Sequence, residues 1–133
     1  MPSIQAQIWK GSTFTIERKE GKAPGTVIFR LSGPFTARDM YGALTPADLR
    51  NLFESDPATG EQPPSLTIFD LTGVPYMDSA GIGMIVSQHV RCLGNCARII
   101  AVGVTPRVRE LFKITKVDTF LPMAATLEEA EVQ

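Results

Sequence analysis

The pattern of apolar and polar positions changes its period in the middle of the chain. Residues 66–71 form a short apolar run, rich in β-branched and aromatic side chains, that ends at Gly73 and predicts a buried strand. From Asp78 onward the apolar residues recur at helical spacing, and Gly94 supplies a C-terminal stop. The apolar face expected for this helix consists of Ile82, Ile85, Val86, Val90 and Leu93. The sequence therefore predicts a strand, a tight turn and a helix in succession.

The first half of the chain predicts an antiparallel hairpin followed by a short helix. Residues 12–19 alternate between apolar and polar side chains, and residues 26–31 form a second strand after a turn rich in glycine. Thr45 and Pro46 have the residue types of an N-cap and of a first helical position, so a helix is expected there. Residues 1–11 are mixed, and they either pack locally or add a strand.

The second half predicts further strands and helices. Residues 97–102 form a second apolar run, which is expected to lie parallel to the central strand after a right-handed crossover. Pro106 opens a helix, residues 119–123 are a candidate last strand, and Thr126 with Glu129 forms a capping box. The predicted fold is α/β, with a mixed sheet of about four to five strands and helices packed mainly on one face.

Length and charge limit the classes of function. A chain of 133 residues fits a single domain, residues 1–133, with residues 1–11 as an N-terminal extension. The 13 basic and 14 acidic residues nearly cancel, which gives no reason to expect binding to nucleic acid or to an anionic membrane. The apolar runs are too short to span a bilayer and the N-terminus lacks a signal-peptide pattern. We therefore expect a cytoplasmic protein that does not insert into membranes.

The turn before the central helix carries an acidic residue and a hydroxyl, Asp78 and Ser79. Asp78 is the better candidate for the N-cap, with Ser79 as the first exposed helical residue, although Asp78 could instead orient the hydroxyl. A helix N-terminus favours negative charge, so a phosphate on Ser79 would be tolerated there. Ser79 is therefore either a phosphorylation switch or a purely structural cap.

The run FDLTGVPYMDSAGIGMIV, residues 69–86, resembles the signature of STAS domains, specifically of bacterial anti-sigma factor antagonists. In that family a strand ending in D-L-S/T-x-V precedes D-S-x-G at a helix start, and a weaker resemblance continues over residues 103–119. The resemblance implies that Ser79 is phosphorylated by a partner, an anti-sigma factor that is a serine-protein kinase and binds ATP itself. Many relatives have a second hydroxyl where this chain has Ala80. The stretch of residues 34–64 is longer than usual in the family, and its role is open.

The helix that follows Ser79 also carries the predicted partner contacts. Gly81 and Gly83 each cost roughly 1 kcal/mol of helix propensity relative to Ala, which indicates close approach either of a partner or of a neighbouring strand. Met84 and Gln88 are expected on the outward face, where an exposed Met suits an adaptable binding surface but is also common without one. The predicted partner-binding set consists of Asp78, Ser79, Gly81, Gly83, Met84 and Gln88.

Catalysis and metal binding receive little support. The two helix glycines lack the third glycine of a dinucleotide fingerprint, and the only histidine, His89, lies too far along the helix to activate Ser79. His89 is expected to be half-buried in the core. With Cys92 and Cys96 it matches no common zinc spacing, so we expect reduced thiols, no metal and no cofactor. The basic residues of the following helix are either a solvated face or a rim of the same interface: Arg107, Arg109, Lys113 and Lys116.

Two hypotheses of different class remain. The first is a regulatory module that binds an anti-sigma kinase when unphosphorylated and is released when Ser79 is phosphorylated, which regulates sigma-factor-dependent transcription. The second is a STAS subunit for assembly or ligand binding in a transporter or stress-sensing complex, in which Ser79 only caps a helix. An independent enzyme is not expected, because the serine has no base, acid pair or metal within reach.

Overall fold

Six strands form one mixed sheet in the computed structural model, which describes residues 7–10, 14–41, 64–94 and 97–132. The strands are β1 Gln7–Lys10, β2 Thr15–Glu20, β3 Thr26–Ser32, β4 Leu66–Gly73, β5 Arg98–Val102 and β6 Met123–Ala124. They lie side by side in chain order; β1, β2 and β3 are antiparallel, whereas β3, β4, β5 and β6 are parallel. The predicted α/β class and mixed sheet are confirmed, and the sheet has six strands because residues 7–10 add a strand beside β2, one of the two alternatives expected for residues 1–11.

Four helices and a 3₁₀ turn connect these strands within the described residues. The helices are α1 Ala37–Tyr41, α2 Ser79–Gly94, α3 Pro106–Ile114 and α4 Leu127–Val132, and the 3₁₀ turn is Val117–Thr119. The predicted helix after Thr45 lies outside the described residues. No helix in the described part of the chain is long and apolar enough to cross a membrane.

The strand predicted over residues 119–123 is mostly absent, which corrects the sequence expectation. Lys116 adopts a left-handed conformation with φ of 67° and starts the 3₁₀ turn, so the first of these residues continue a turn rather than a ladder. Pro122 has no N–H to donate to a neighbouring strand, although its carbonyl accepts the N–H of Ala101 at 2.9 Å. Only β6, two residues long, remains of the predicted strand.

The two faces of the sheet are covered differently. On one face Phe29, Phe69 and Leu71 pack in a buried cluster that also contains side chains of α2 and α3. On the other face Ile68 and Ile100 are buried in a smaller cluster that includes residues of α4. Each fully buried side chain of this kind contributes roughly 1.5–3 kcal/mol. The prediction that the helices pack mainly on one face is confirmed.

The C-terminal helix α4 is fixed by hydrogen bonds at both of its ends. The predicted capping box is confirmed, since the Thr126 hydroxyl accepts the Glu129 N–H at 3.1 Å and the Glu129 carboxylate accepts the Thr126 N–H at 3.1 Å. Near the other end, the Glu131 carboxylate accepts the backbone N–H groups of Lys22 at 2.8 Å and Ala23 at 3.2 Å. The helix is thereby tied to the turn between β2 and β3.

The orientation of α2 differs in part from the predicted one, because Ile82, Ile85 and Val86 contact the core as expected and the last turns do not. Its buried residues are Gly81, Ile85, Gln88 and Cys92, which follow one another along one side of the helix. Val90 and Leu93 were expected on the buried face, but they are 60% and 61% exposed. At the start of α2, Gly81 lies so close to the Phe35 carbonyl that a Cβ would collide with it, and this close packing favours the observed rotation of the helix.

Candidate functional site

Two neighbouring segments position the start of α2 at the carboxyl ends of the parallel strands. The backbone N–H of Phe35 donates to the carbonyl of Tyr76 at 3.0 Å, and the N–H of Asp78 donates to the carbonyl of Phe35 at 3.4 Å. Phe35 is completely buried and stacks on Phe14, with ring centroids 5.2 Å apart. The turn before α2 is therefore anchored to the core through Phe35.

Asp78 caps two helices with one carboxylate. Its Oδ1 accepts the N–H groups of Ala80 at 2.9 Å and Gly81 at 3.3 Å, which makes it the N-cap of α2. Its Oδ2 accepts the N–H of Ala37 at 3.1 Å, at the first residue of α1. The prediction that Asp78 rather than Ser79 caps α2 is confirmed. The negative charge lies where the positive ends of two helix dipoles meet, which stabilises both.

Ser79 is left exposed as the first residue of α2. Since Asp78 accepts the N–H groups of Ala80 and Gly81, the Ser79 hydroxyl does not cap the helix. None of the described residues hydrogen bonds to that hydroxyl. The side chain is thus available to another molecule.

The two glycines near the start of α2, Gly81 and Gly83, lie in opposite environments. A Cβ on Gly81 would collide with the carbonyl oxygen of Phe35 and would lie 3.1 Å from the Cβ of Met77. For Gly81 the alternative of internal packing therefore accounts for the missing side chain. Gly83 is exposed, and a Cβ there would meet nothing within 4 Å. No contact with the described part of the chain explains the glycine at position 83.

Met84 and Gln88 do not lie on the outward face of α2, which corrects the sequence expectation. Met84 is partly buried and packs against the main core cluster. Gln88 is only 3% exposed. The burial of Met84 and of Gln88 agrees with the rotation of α2 that places Gly81 against Phe35. Of the predicted set, Ser79 and Gly83 are brought together on the surface, and Gln88 is removed from it.

An exposed cation–π pair, Tyr76 and Arg107, lies beside this site, and the sequence pattern indicates only Arg107. The guanidinium carbon of Arg107, in the first turn of α3, lies 4.7 Å from the centroid of the Tyr76 ring. Tyr76 is 36% exposed and lies in the turn before α2. The exposure of Tyr76 could have been predicted from its position. It is a single aromatic residue between Pro75 and Met77, in a turn that offers no strand or helix to bury it.

The Asp70 carboxylate of the D-L-T motif serves the sheet rather than the surface at Ser79. Its Oδ1 accepts the N–H and hydroxyl of Thr72 at 3.0 and 2.6 Å, and its Oδ2 lies 3.5 Å from Nε of Arg30. Asp70 is 5% exposed, so these partners stabilise a buried charge. Its place in the motif is structural.

Of the three candidate metal ligands, the structure describes His89 and Cys92. His89 is half-buried, as predicted, with its ring centroid 4.7 Å from that of Phe120. Burial raises the pKa of the Cys92 thiol, and a hydrogen bond with Thr67 partly offsets the effect. Cys96 lies outside the described residues, and within those residues no three His, Cys, Asp or Glu side chains are grouped as metal ligands.

Comparisons with known proteins agree with this fold. An anti-sigma factor antagonist from Mycobacterium paratuberculosis is 20% identical over 93% of this chain and 97% of its own, with a TM-score of 0.68. A sulfate transporter family protein from Wolinella succinogenes is 18% identical over 84% and 86%, with a TM-score of 0.66. The Bacillus cell fate determinant SpoIIAA in its phosphorylated form is 20% identical over 89% and 99%, with a TM-score of 0.60. At such identities these likenesses establish the fold alone.

The comparison of sequences gives the family. No match to the chain was found among curated proteins. A family model of the STAS domain, however, matches residues 20–130, which is most of the chain. The chain therefore belongs to the STAS domain family.

Proposed function

We propose that this protein is an anti-sigma factor antagonist whose binding to an anti-sigma factor with serine kinase activity is switched by Ser79. The observation that carries the proposal is that different residues cap α2 and present a free hydroxyl at its start. Asp78 performs the capping and Ser79 presents an exposed hydroxyl without a partner among the described residues. When unmodified, the protein binds the anti-sigma factor and frees the sigma factor. Phosphorylation of Ser79 ends the binding.

The surroundings of Ser79 support a modification that changes the surface without unfolding the domain. A phosphate adds about −1.5 to −2 charges. Asp78 already accepts the N–H groups of Ala80 and Gly81, so the phosphate would point outward rather than be satisfied by those groups. The helix dipole favours the new charge, whereas the neighbouring carboxylate opposes it. SpoIIAA, whose unphosphorylated and phosphorylated forms are both solved, resembles this chain with TM-scores of 0.61 and 0.60.

In this proposal the chain is a substrate and a binding module, not an enzyme. The ATP and the kinase active site belong to the partner, and the chain supplies the acceptor serine. Two acidic groups would then face the partner where the unmodified protein presents one. Like charges brought together at an interface cost several kcal/mol, which is enough to end binding. The proposed place of action is the bacterial cytoplasm, where anti-sigma factors act on transcription.

The test compares three serine variants on the same helix. The anti-sigma serine kinases of the source genome are purified, and each variant is titrated into them with ADP present. We expect Ser79→Asp to fold and lose binding, and Ser79→Ala to fold, bind and resist release by ATP. Ser87→Asp is the matched control, because Ser87 is also exposed on α2 but lies two turns away.

Mass spectrometry after incubation with ATP should place the phosphate on Ser79. Binding of Ser79→Asp as tight as that of the parent would contradict the phosphoswitch.

An assembly subunit of a transporter is the second candidate. It is favoured by the similarity to the sulfate transporter family protein, whose TM-score of 0.66 is close to that of the antagonist. In that case Ser79 would stay unmodified and the partner would be a permease. The gene next to that of this chain separates the candidates, since it would encode a histidine-kinase-like ATPase in the first case and a permease in the second.

A further inference from the structure

Tyr76 and Arg107 join two separate elements on the edge of the molecule that carries Ser79. Tyr76 lies three residues before Ser79 in the turn that leads into α2, and Arg107 lies in the first turn of α3. The guanidinium carbon of Arg107 lies 4.7 Å from the Tyr76 ring centroid, within the range of a cation–π contact. Both side chains are exposed, so the pair forms part of the surface rather than of the core.

The backbone around this pair is held in place from several sides. The Thr105 hydroxyl donates to the carbonyl of Val74 at 3.0 Å, which ties the start of α3 to the turn before α2. Thr105 is the N-cap residue of α3, yet its side chain makes no capping bond. The Tyr76 carbonyl accepts the Phe35 N–H at 3.0 Å. Tyr76 is therefore presented on a fixed backbone, which lowers the entropy lost when a partner binds.

The charge around Arg107 indicates what kind of surface would fit. Three basic residues and one acid, Glu110, lie on α3, and Lys116 follows it. Among the described residues no carboxylate forms an ion pair with Arg107. Within the described residues, the contact recorded for its guanidinium group is the one with the face of the Tyr76 ring. A partner that carries acidic side chains opposite α3 would complement this edge.

We propose that Tyr76 and Arg107 form a second contact with the same partner, and that this contact receives an acidic segment of the anti-sigma kinase. The inference rests on the function proposed above. Tyr and Arg are enriched among the few residues that dominate binding at interfaces, because they combine a large contact area with directed polar groups. The contact lies beside Ser79, so the partner would be held on one side by this pair while the serine is presented to its active site.

The experiment measures affinity for the purified anti-sigma kinase with ADP, at low and at high salt. Arg107→Glu should weaken binding by about tenfold or more, as expected for a residue that dominates an interface. Arg109→Glu is the matched control, because Arg109 is also exposed on α3 but points about 200° away around the helix axis. Tyr76→Ala should weaken binding comparably, whereas Tyr76→Phe keeps the ring and should bind as the parent does. The loss in Arg107→Glu should shrink at high salt.

Several outcomes would overturn the inference. If Arg107→Glu and Arg109→Glu weaken binding equally, the overall positive potential of α3 accounts for the affinity and the Tyr76–Arg107 pair has no special role. If the parent binds and responds to Ser79→Asp, but Arg107→Glu binds normally, the second contact is wrong while the proposed function stands. If the parent protein binds none of the kinases, the proposed function and the second contact are both wrong. Arg107→Gln, which removes the charge without reversing it, replaces Arg107→Glu if circular dichroism shows that the latter is unfolded.

Discussion

The two ends of α2 differ in what they leave on the surface. At the first turn a small polar side chain, Ser79, is exposed, and Gly81 is buried against the Phe35 carbonyl. Towards the last turns the large apolar side chains of Val90 and Leu93 are exposed instead. Of the apolar face that the sequence predicts, Ile85 is buried and Ile82 and Val86 are partly buried against the core, so the departure is confined to the last turns. The backbone of Gly81 lies against the Phe35 carbonyl, and the buried side of the helix continues from it through Ile85, Gln88 and Cys92.

The largest expected effect tests the rotation of α2 directly. Ile85 and Val90 are both predicted on the same apolar face by their spacing, yet Ile85 is 1% exposed and Val90 is 60% exposed. Ile85→Ala should lower the free energy of unfolding by about 2–5 kcal/mol, because it leaves a cavity in the core. Val90→Ala should change it by about 0.5 kcal/mol or less, as at other surface positions.

Urea denaturation of both variants, followed by circular dichroism, measures these changes. Similar losses in Ile85→Ala and Val90→Ala would mean that α2 is rotated as the apolar pattern predicts. In that case the placement of Gln88 in the interior would also be wrong.

A smaller effect is expected at the contact that favours the observed rotation. Gly81→Ala gains helix propensity of up to about 1 kcal/mol, but its Cβ collides with the Phe35 carbonyl. Backbone cannot move aside as a flexible side chain can, so the overpacking cost of about 1–3 kcal/mol should prevail. The net result should be a lower melting temperature. An unchanged or raised melting temperature in Gly81→Ala would show that α2 has room to shift, and the explanation of its orientation would fail.

Much of the fold follows from the sequence because its signals are local. The antiparallel hairpin, the helix that starts at Pro106 and the capping box at Thr126 each depend on residues close together in the chain. The capping role of Asp78 is of the same kind, since its partners Ala80 and Gly81 are two and three residues away.

The features that could not be predicted depend on contacts between distant segments. Asp78 also accepts a hydrogen bond from Ala37, 41 residues earlier, and no local pattern indicates it. The burial of Gln88 agrees with the contact between Gly81 and Phe35, which are 46 residues apart. The sequence indicates Arg107 only as one of a set of basic residues, because its contact with Tyr76 depends on how the turn before α2 meets the start of α3.

The smallest expected effect concerns Gly83, the counterpart of Gly81 on the exposed side of the same turn. A Cβ at Gly83 meets nothing within 4 Å, so Gly83→Ala should fold and gain up to about 1 kcal/mol of stability through helix propensity. That gain should raise the melting temperature by a few degrees in a domain of this size. The chain forgoes this stability although no contact within the described residues requires the glycine.

We therefore expect close approach of the partner backbone at Gly83, so that Gly83→Ala binds the anti-sigma kinase more weakly although it is more stable. Thermal melting and titration of the same preparation separate the two effects, and Gly81→Ala serves as the opposite case because it should lose stability. If Gly83→Ala gains stability and binds as the parent does, the glycine serves neither packing nor the interface. The partner would then contact α2 only at its first turn, around Ser79.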